Sequence, residues 1–204
     1  MIAAITITYN RIELTKQTIE SFYSKTDVDF HLFVDNGSED ETKEWIKYKY
    51  HIPLEKNMGI AYAFALGVEA LSGKYDYILK LDNDVETVTE GIIGKMVKFL
   101  EKHPDHVISP VDLLLDPNFK PRTLRKSFLE GYNVEYTTHT GGAFQLGRRE
   151  AVEKLCKEFR HLKLGDLNIG MFYRNHGYHT AYLQELEMRH IGLNQSTPGK
   201  NYIM

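Results

Sequence analysis

The sequence predicts an α/β domain with a mostly parallel sheet in its first half and a mixed second half. Over residues 1–100, short apolar runs rich in β-branched residues alternate with segments of helix length. Polar residues follow directly where these runs end, and in the second half prolines and glycines break the alternation. Strand and helix alternation implies right-handed crossovers and a parallel sheet covered on both faces, so the first half is expected to be Rossmann-like.

Each element of the first half has a local reason. The strands are short apolar runs bounded by turn residues, and Asn10 is a suitable N-cap for the first helix. Acidic residues 39–41 favour the start of the second helix, and Ser72-Gly73 ends the third. The predicted strands are residues 2–8, 30–34, 52–54 and 77–81, and the predicted helices are 10–24, a segment around Trp45, 60–71 and 88–102.

The second half is expected to be mixed. A strand near residues 107–109 leads into a proline-containing segment, residues 110–121, which is predicted to be a loop or flap. Gly141-Gly142 is predicted to separate two strands, and the tail from Asn194 is expected to be mobile. The further predicted strands are residues 133–138, 143–146, 178–183 and 187–190, and the further helices are 148–160 and 166–176.

Composition limits the function. A length of 204 residues favours one domain, and a net charge of −3 gives no overall field for binding nucleic acid or an anionic membrane. The single Cys156 excludes an internal disulfide. The start lacks the basic flank of a signal peptide, and no apolar run is long enough to span a membrane, so a cytoplasmic protein is expected. The oligomeric state is left open.

The most informative motif is Asp82-Asn83-Asp84, which follows the apolar run of residues 77–81. Two carboxylates on one short turn repel each other unless a cation lies between them, and oxygen ligands favour Mg²⁺ or Mn²⁺. A solvated turn is the alternative. Because Thr8 and Asp35 also lie at the carboxyl ends of predicted parallel strands, the three strand ends should converge on one crevice that binds a phosphorylated small molecule. Phosphate-loop, dinucleotide, EF-hand and helical zinc motifs do not match.

Two N-terminal segments and one helix carry a resemblance to a known family. The chain resembles the GT-A fold glycosyltransferases of the family-2 type, and the match runs over nearly the whole chain. The resemblance is carried by Thr8-Tyr9-Asn10-Arg11, by the segment 34–40 and by the small residues at alternate positions from Asn57 to Gly67. The family pattern has Asn where Ala65 stands. The resemblance assigns donor binding to Thr8, Tyr9, Asn10, Arg11, Asp35, Asn57, Gly59, Ala63, Asp82 and Asn83.

The same resemblance assigns the remaining site residues. Gly141 and Gly142 match the acceptor side, and Asp166, aligned through Gly177-Tyr178, matches the general base. Gly165 and Asn168 stand where the family has acids. An ordinary hairpin turn is the alternative for the glycines, and a helix N-cap is the alternative for Asp166. The metal, Mn²⁺ or Mg²⁺, is assigned to Asp82, Asp84 and His190.

The expected function is therefore transfer of a sugar from a nucleoside diphosphate, with UDP favoured, to a carbohydrate or other acceptor hydroxyl with inversion. The domain is expected to comprise a nucleotide-binding half (1–100), an acceptor and catalytic half (101–192) and a tail (193–204). Two alternatives stay open. One is a non-catalytic nucleotide-sugar or carbohydrate-binding protein of this fold, and the other is a haloacid-dehalogenase-type phosphotransferase, for which Glu86 departs from the pattern.

Overall fold

A computed structural model describes residues 1–115, 120–160 and 166–192, with the side chains of residues 166 and 167 excepted. In this part of the chain ten strands form one sheet, and six helices cover it. The strands are β1 (Ile2–Thr8), β2 (Phe30–Asp35), β3 (His51–Pro53), β4 (Tyr77–Asp82), β5 (Val85–Thr87), β6 (His106–Asp112), β7 (Thr123–Leu129), β8 (Tyr132–Thr137), β9 (Phe144–Arg148) and β10 (His179–His190). The helices are α1 (Ile12–Lys25), α2 (Thr42–Ile46), α3 (Ile60–Ala70), α4 (Ile92–Lys102), α5 (Arg149–Phe159) and α6 (Asp166–Asn175).

The sheet has the predicted division into a parallel and a mixed half. Its order is β3-β2-β1-β4-β9-β6-β10-β8-β7, with β5 paired to β10. Neighbours from β3 to β4 are parallel, whereas β9 is antiparallel to both β4 and β6, and β8 is antiparallel to β10. The predicted α/β fold class is confirmed.

Two apolar clusters cover the two faces of the central strands. On one face α3 lies so close to the sheet that a Cβ at Gly67 would be 2.9 Å from the Ile5 Cγ2 atom and 3.1 Å from the Val34 Cγ2 atom. On the other face, Phe22 of α1 and Phe99 of α4 are fully buried. Strands that are buried on both faces read as continuous apolar runs, which is why β1 and β4 were predictable.

The prediction of a loop or flap over residues 110–121 was partly wrong. Strand β6 runs on through Pro110, which pairs with Leu183 of β10. A proline is tolerated there because pairing with β9 ends at Ile108, so no ladder bond is lost on that side. Strand β7 was not predicted, because it lies at the edge of the sheet and most of its side chains are exposed.

Other boundaries also differ from prediction. β10 is one strand rather than two, and a register shift between Leu183 and Glu187 explains the break in its pattern. The short β5 was missed, and α4 begins at Ile92 rather than at residue 88. The N-cap of α1 is Arg11, not Asn10, because the Asn10 side-chain oxygen accepts from the Glu39 N–H at 2.8 Å instead.

Helix α6 begins at Asp166, as predicted, but the Asp166 side chain lies outside the described residues. The tail predicted for residues 193–204 lies outside them as well. No helix in the described ranges has the length and apolar character needed to cross a membrane.

Candidate active site

The turn Asp82-Asn83-Asp84 joins β4 to β5, and its second carboxylate contacts a histidine and an arginine. The His190 Nε2 atom lies 3.1 Å from Asp84 Oδ1, and the Arg11 Nη1 atom donates to Asp84 Oδ2 at 2.8 Å. Burial favours a higher pKa for Asp84, but the hydrogen bond from His190 and the charges of His190 and Arg11 outweigh it, so this pKa is lowered. Asp84 is therefore ionised and enclosed by positive charge.

His190 responds in the opposite direction. Burial opposes its protonation, but the hydrogen bond to Asp84 and the nearby carboxylate charges outweigh burial and raise the His190 pKa. Gly192 also lies against Asp84, and a Cβ at this position would be 2.2 Å from Asp84 Oδ2. Only glycine permits the chain after β10 to pass this close to the carboxylate.

The first carboxylate of the turn has a different partner. The Lys80 ammonium donates to Asp82 Oδ1 and, at 2.5 Å, to the carbonyl oxygen of Gly142. Lost solvation and the charge of Asp84 raise the Asp82 pKa, although Lys80 opposes the shift. Lys80 is buried and was missed in the sequence, where it appears only as an interruption of an apolar run. Its position two residues before Asp82 on one strand face was the available signal.

The segment that carries Arg11 has a constrained backbone. Asn10 and Arg11 have φ values of 56° and 66°, a left-handed conformation that is rare for residues other than glycine and costs roughly 1 kcal/mol or more each. The Asn10 N–H donates to Ser38 Oγ at 2.8 Å, and Asn83 Nδ2 donates to the Asn10 carbonyl at 3.0 Å. Contacts from two neighbouring turns therefore hold the Arg11 backbone in place beside Asp84.

A second polar pocket forms where β1 and β2 end. Asp35 is buried, and its Oδ1 atom accepts from Thr8 Oγ1 at 3.2 Å and from Ser38 Oγ at 2.5 Å. The other oxygen, Oδ2, is buried and has no hydrogen-bond partner within the described part of the chain. Buried acceptors are nearly always paired, so this oxygen is available for a donor group on a ligand.

The turn that precedes α3 lies next to this pocket. Asn36 Nδ2 donates to Asn57 Oδ1 at 3.0 Å, and the same Asn57 oxygen accepts from the Gly59 N–H at 2.9 Å. Gly59 has a φ of 89°, which favours glycine. Ala63 of α3, assigned to donor binding by resemblance, is fully buried against the sheet, so its side chain contributes to packing.

The Gly141-Gly142 segment connects the acid turn to the second half of the sheet. The Gly141 N–H donates to the Tyr182 hydroxyl at 2.7 Å, and Gly142 shares Lys80 with Asp82. Helix α6 packs against Thr138, which comes three residues before Gly141. A Cβ at Gly170 would lie 2.4 Å from the Thr138 carbonyl oxygen. Asp166 begins the same helix one turn before Gly170, about 6 Å along the axis.

The site offers two groups that suit a divalent ion. Among the described residues, no group of three or more His, Cys, Asp or Glu is already arranged around a metal position. The 3.1 Å between His190 Nε2 and Asp84 Oδ1 nevertheless approaches the ~3.0 Å that separates neighbouring ligands of an octahedral ion with bonds of about 2.1 Å. A carboxylate combined with an imidazole suits Mn²⁺ better than Mg²⁺, which prefers oxygen alone.

Comparison with solved structures identifies the fold. GalNAc-T7 with UDP, GalNAc and Mn²⁺ superimposes over 100% of this chain and 46% of its own, with a TM-score of 0.74 and 14% identity. A Pyrobaculum calidifontis mannosyltransferase, PcManGT, with GDP-Man and Mn²⁺ covers 96% of this chain and 58% of its own, with a TM-score of 0.72 and 16% identity. S. aureus TarS covers 92% and 36%, with a TM-score of 0.68 and 15% identity. The fold is that of the GT-A glycosyltransferases.

Sequence comparison then gives the family. Residues 3–156 match the model for glycosyl transferase family 2, and the chain belongs to this family. An uncharacterized glycosyltransferase from Rickettsia bellii is 34% identical over 108 residues, which cover 50% of this chain and 15% of that protein. The chain thus spans only a small part of this relative and about half the length of the first two solved structures. Membership of this family argues against the haloacid-dehalogenase-type phosphotransferase alternative.

Proposed function

We propose that this glycosyltransferase moves a sugar from a UDP-sugar to an acceptor hydroxyl with inversion at the anomeric carbon. The observation that carries the proposal is the Asp84 carboxylate, ionised between His190 and Arg11 at the same sheet edge as the Asp35 pocket. Residues 1–100 would bind the donor and residues 101–192 the acceptor.

The Asp35 pocket favours a uracil base. Asp35 Oδ2 is a single buried acceptor, and the pairing edge of uracil offers a single N–H donor between two carbonyls. Guanine presents two neighbouring donors to the same edge, and one unpaired oxygen satisfies them less well. Thr8 and Ser38 hold the other carboxylate oxygen, so the pocket is formed before the nucleotide binds.

The acid turn would bind the diphosphate. Asp84 and His190 would hold a divalent ion, with Asp82 next to them, and such an ion supplies positive charge to the leaving diphosphate. Arg11 contacts Asp84, and its guanidinium can pair with two phosphate oxygens. Lys80 keeps Asp82 neutralised, which lowers the repulsion that a bound diphosphate would meet.

Asp166 is the proposed general base. Its carboxylate would take the proton of the acceptor hydroxyl as the oxygen forms a bond to the anomeric carbon, and the bond from that carbon to the diphosphate oxygen breaks. The electron pair stays with the diphosphate, and the proton stays on Asp166. The tight contact of Gly170 with Thr138 fixes the helix that begins at Asp166 to the acceptor-side segment.

Substitution of the proposed base provides the test. General-base assistance typically contributes ~10²- to 10⁴-fold in rate, so Asp166→Asn should lower turnover by that factor and leave UDP binding within about twofold. Asp105→Asn, at the opposite end of the sheet, is the matched control and should keep its activity. If Asp166→Asn loses UDP binding together with turnover, Asp166 is not the base.

A further inference from the structure

The β7–β8 hairpin carries an unusual concentration of positive charge. Residues 120–127 hold four cations and no acid, although the whole chain has a net charge of −3. All four are exposed. We call Lys120, Arg122 and Lys126 the basic strip, because Arg125 lies over the Tyr136 ring on the opposite face of the hairpin from Lys126. Their charge therefore contrasts with the remainder of the molecule and is available to an anionic partner.

The contacts of the basic strip leave positive charge in excess. Lys120 and Lys126 both approach the buried Glu135, each at 3.9 Å, so two cations share one carboxylate. Glu135 also accepts from Thr123 and, at 3.0 Å, from Gln184. The Arg125 guanidinium lies 3.9 Å from the centre of the Tyr136 ring. The alternative is that these lysines only prevent another strand from pairing with the edge of the sheet. That role requires neither a groove nor a buried acid beside the lysines.

A groove lies beside the strip and has the chemistry of a carbohydrate site. It encloses about 520 Å³ and is lined by one cation, one exposed aromatic ring, two amides and a carboxylate, together with smaller groups. The Phe128 ring is 69% exposed, so its face is accessible for stacking against a sugar ring. We call the set Lys126, Phe128, Asn133, Glu135 and Gln184 the hairpin groove.

The hairpin groove lies close to the proposed acceptor side. Gln184 and Tyr182 point to the same face of β10 about 7 Å apart, and the Tyr182 hydroxyl accepts from the Gly141 N–H. The adjoining Gly142 shares Lys80 with Asp82. On the strip side, the Thr138 N–H donates to the Arg122 carbonyl at 3.0 Å, and the four peptide units from Thr138 to Gly142 span at most ~14 Å.

From this arrangement we propose that the acceptor is an anionic glycan, whose carboxylate or phosphate groups bind the basic strip and whose sugar rings bind the hairpin groove. The proposal rests on the proposed function, since it names the substrate class of the acceptor side. Cations select the charge, and the ring of Phe128 with the amide groups selects a sugar. A neutral glycan would lack the first interaction, and a simple polyanion would lack the second.

Binding measurements without donor test the proposal separately from turnover. The probes are polygalacturonate, polyglutamate, dextran and phosphatidylglycerol vesicles. Wild-type protein should bind polygalacturonate more tightly than polyglutamate and should not bind dextran. Each exposed charge pair contributes roughly 1.4- to 5-fold in affinity, so loss of three cations should weaken polygalacturonate binding about 3- to 100-fold. The test variant replaces Lys120, Arg122 and Lys126 by Gln. The control makes the same charge change on exposed lysines of α4 and α5: Lys95→Gln, Lys98→Gln and Lys157→Gln.

A second pair of variants isolates the aromatic contribution. Phe128→Ser should remove the preference for polygalacturonate over polyglutamate and leave the charge interaction in place. Tyr48→Ser, which changes a ring that is 86% exposed near the opposite edge of the sheet, should leave that preference unchanged.

Equal weakening in the strip variant and its control would overturn the proposal, because it would show a nonspecific charge effect. Binding to the vesicles alone would overturn it too, since the surface would then contact a membrane. The thermal shift with UDP and Mn²⁺ is measured in parallel on all variants. Specific glycan binding without any such shift would refute the proposed function and still support an anionic-glycan site.

Discussion

Arg11 occupies one oxygen of the carboxylate that the proposed metal requires, so removing it should change metal affinity in a defined direction. Arg11 Nη1 donates to Asp84 Oδ2 at 2.8 Å, so its positive charge opposes binding of a metal ion at the same carboxylate. The prediction is that Arg11→Gln binds Mn²⁺ more tightly than wild type in the absence of nucleotide. Gln keeps a polar side chain at a position whose left-handed backbone costs any such residue a similar amount.

The magnitude follows from the geometry of the pair. A hydrogen bond to a charged group contributes about 1.5–3 kcal/mol, and the 29% exposure of the Arg11 side chain favours the lower end. Because about 1.4 kcal/mol corresponds to a tenfold change in a dissociation constant, Mn²⁺ should bind about tenfold more tightly to the variant.

Titration calorimetry with Mn²⁺ on nucleotide-free protein measures this change. The matched control is Arg189→Gln, because Arg189 pairs with Glu86 at 2.9 Å and lies next to His190 but does not contact Asp84. The control should stay within about twofold of wild type. Unchanged or weaker Mn²⁺ binding by Arg11→Gln would refute the competition between the guanidinium and the metal.

Three further predictions concern stability. Gly170→Ala should cost about 1–3 kcal/mol or more in urea denaturation through overpacking, whereas Gly94→Ala, on an open face of α4, should stabilise by about 0.5–1 kcal/mol; equal effects would contradict the close contact of α6. Lys80→Met should cost about 3–5 kcal/mol by leaving the Asp82 charge unpaired, and adding Asp82→Asn should recover part of it; no recovery would argue against the pair. Burial lowers the pKa of His31 in the folded protein to about 3, whereas the pKa in the unfolded chain is near 6.5. The contribution of this neutral ring to the free energy of unfolding is therefore complete above pH 6.5 and is lost as the pH falls toward 3. Between pH 6.5 and 4.5 the loss should be about 2–3 kcal/mol, and His31→Gln should show a correspondingly flatter pH profile of unfolding.

The parallel half of the sheet was predictable because its signals are local. β1, β2 and β4 are buried on both faces, so their apolar runs stand out in the sequence without knowledge of their neighbours. β7 gave no such signal, since its side chains are mostly exposed and, among the described residues, it pairs in the sheet with β8 alone. β5 has three residues and depends on pairing with β10, about a hundred positions later.

The candidate site was predictable only where a motif already carried it. The association of Asp84 with His190 followed from family resemblance, and the structure places the two side chains in contact. The Arg11 contact to Asp84 joins residues 73 positions apart, and no local pattern specifies such a pair. Asn10 was expected to cap α1 because Asn does so often, but a tertiary partner, the Glu39 N–H, took its side chain.

The most direct test of the central claim is the thermal shift produced by UDP, with and without Mn²⁺, on wild type and on Asp84→Asn. If Asp84 holds the ion that binds the diphosphate, wild type should show a large shift with UDP and Mn²⁺ together and a small one with either alone. Asp84→Asn should lose the joint effect and keep any shift due to UDP alone. A UDP shift that is equal with and without Mn²⁺, or unchanged in Asp84→Asn, would contradict the account.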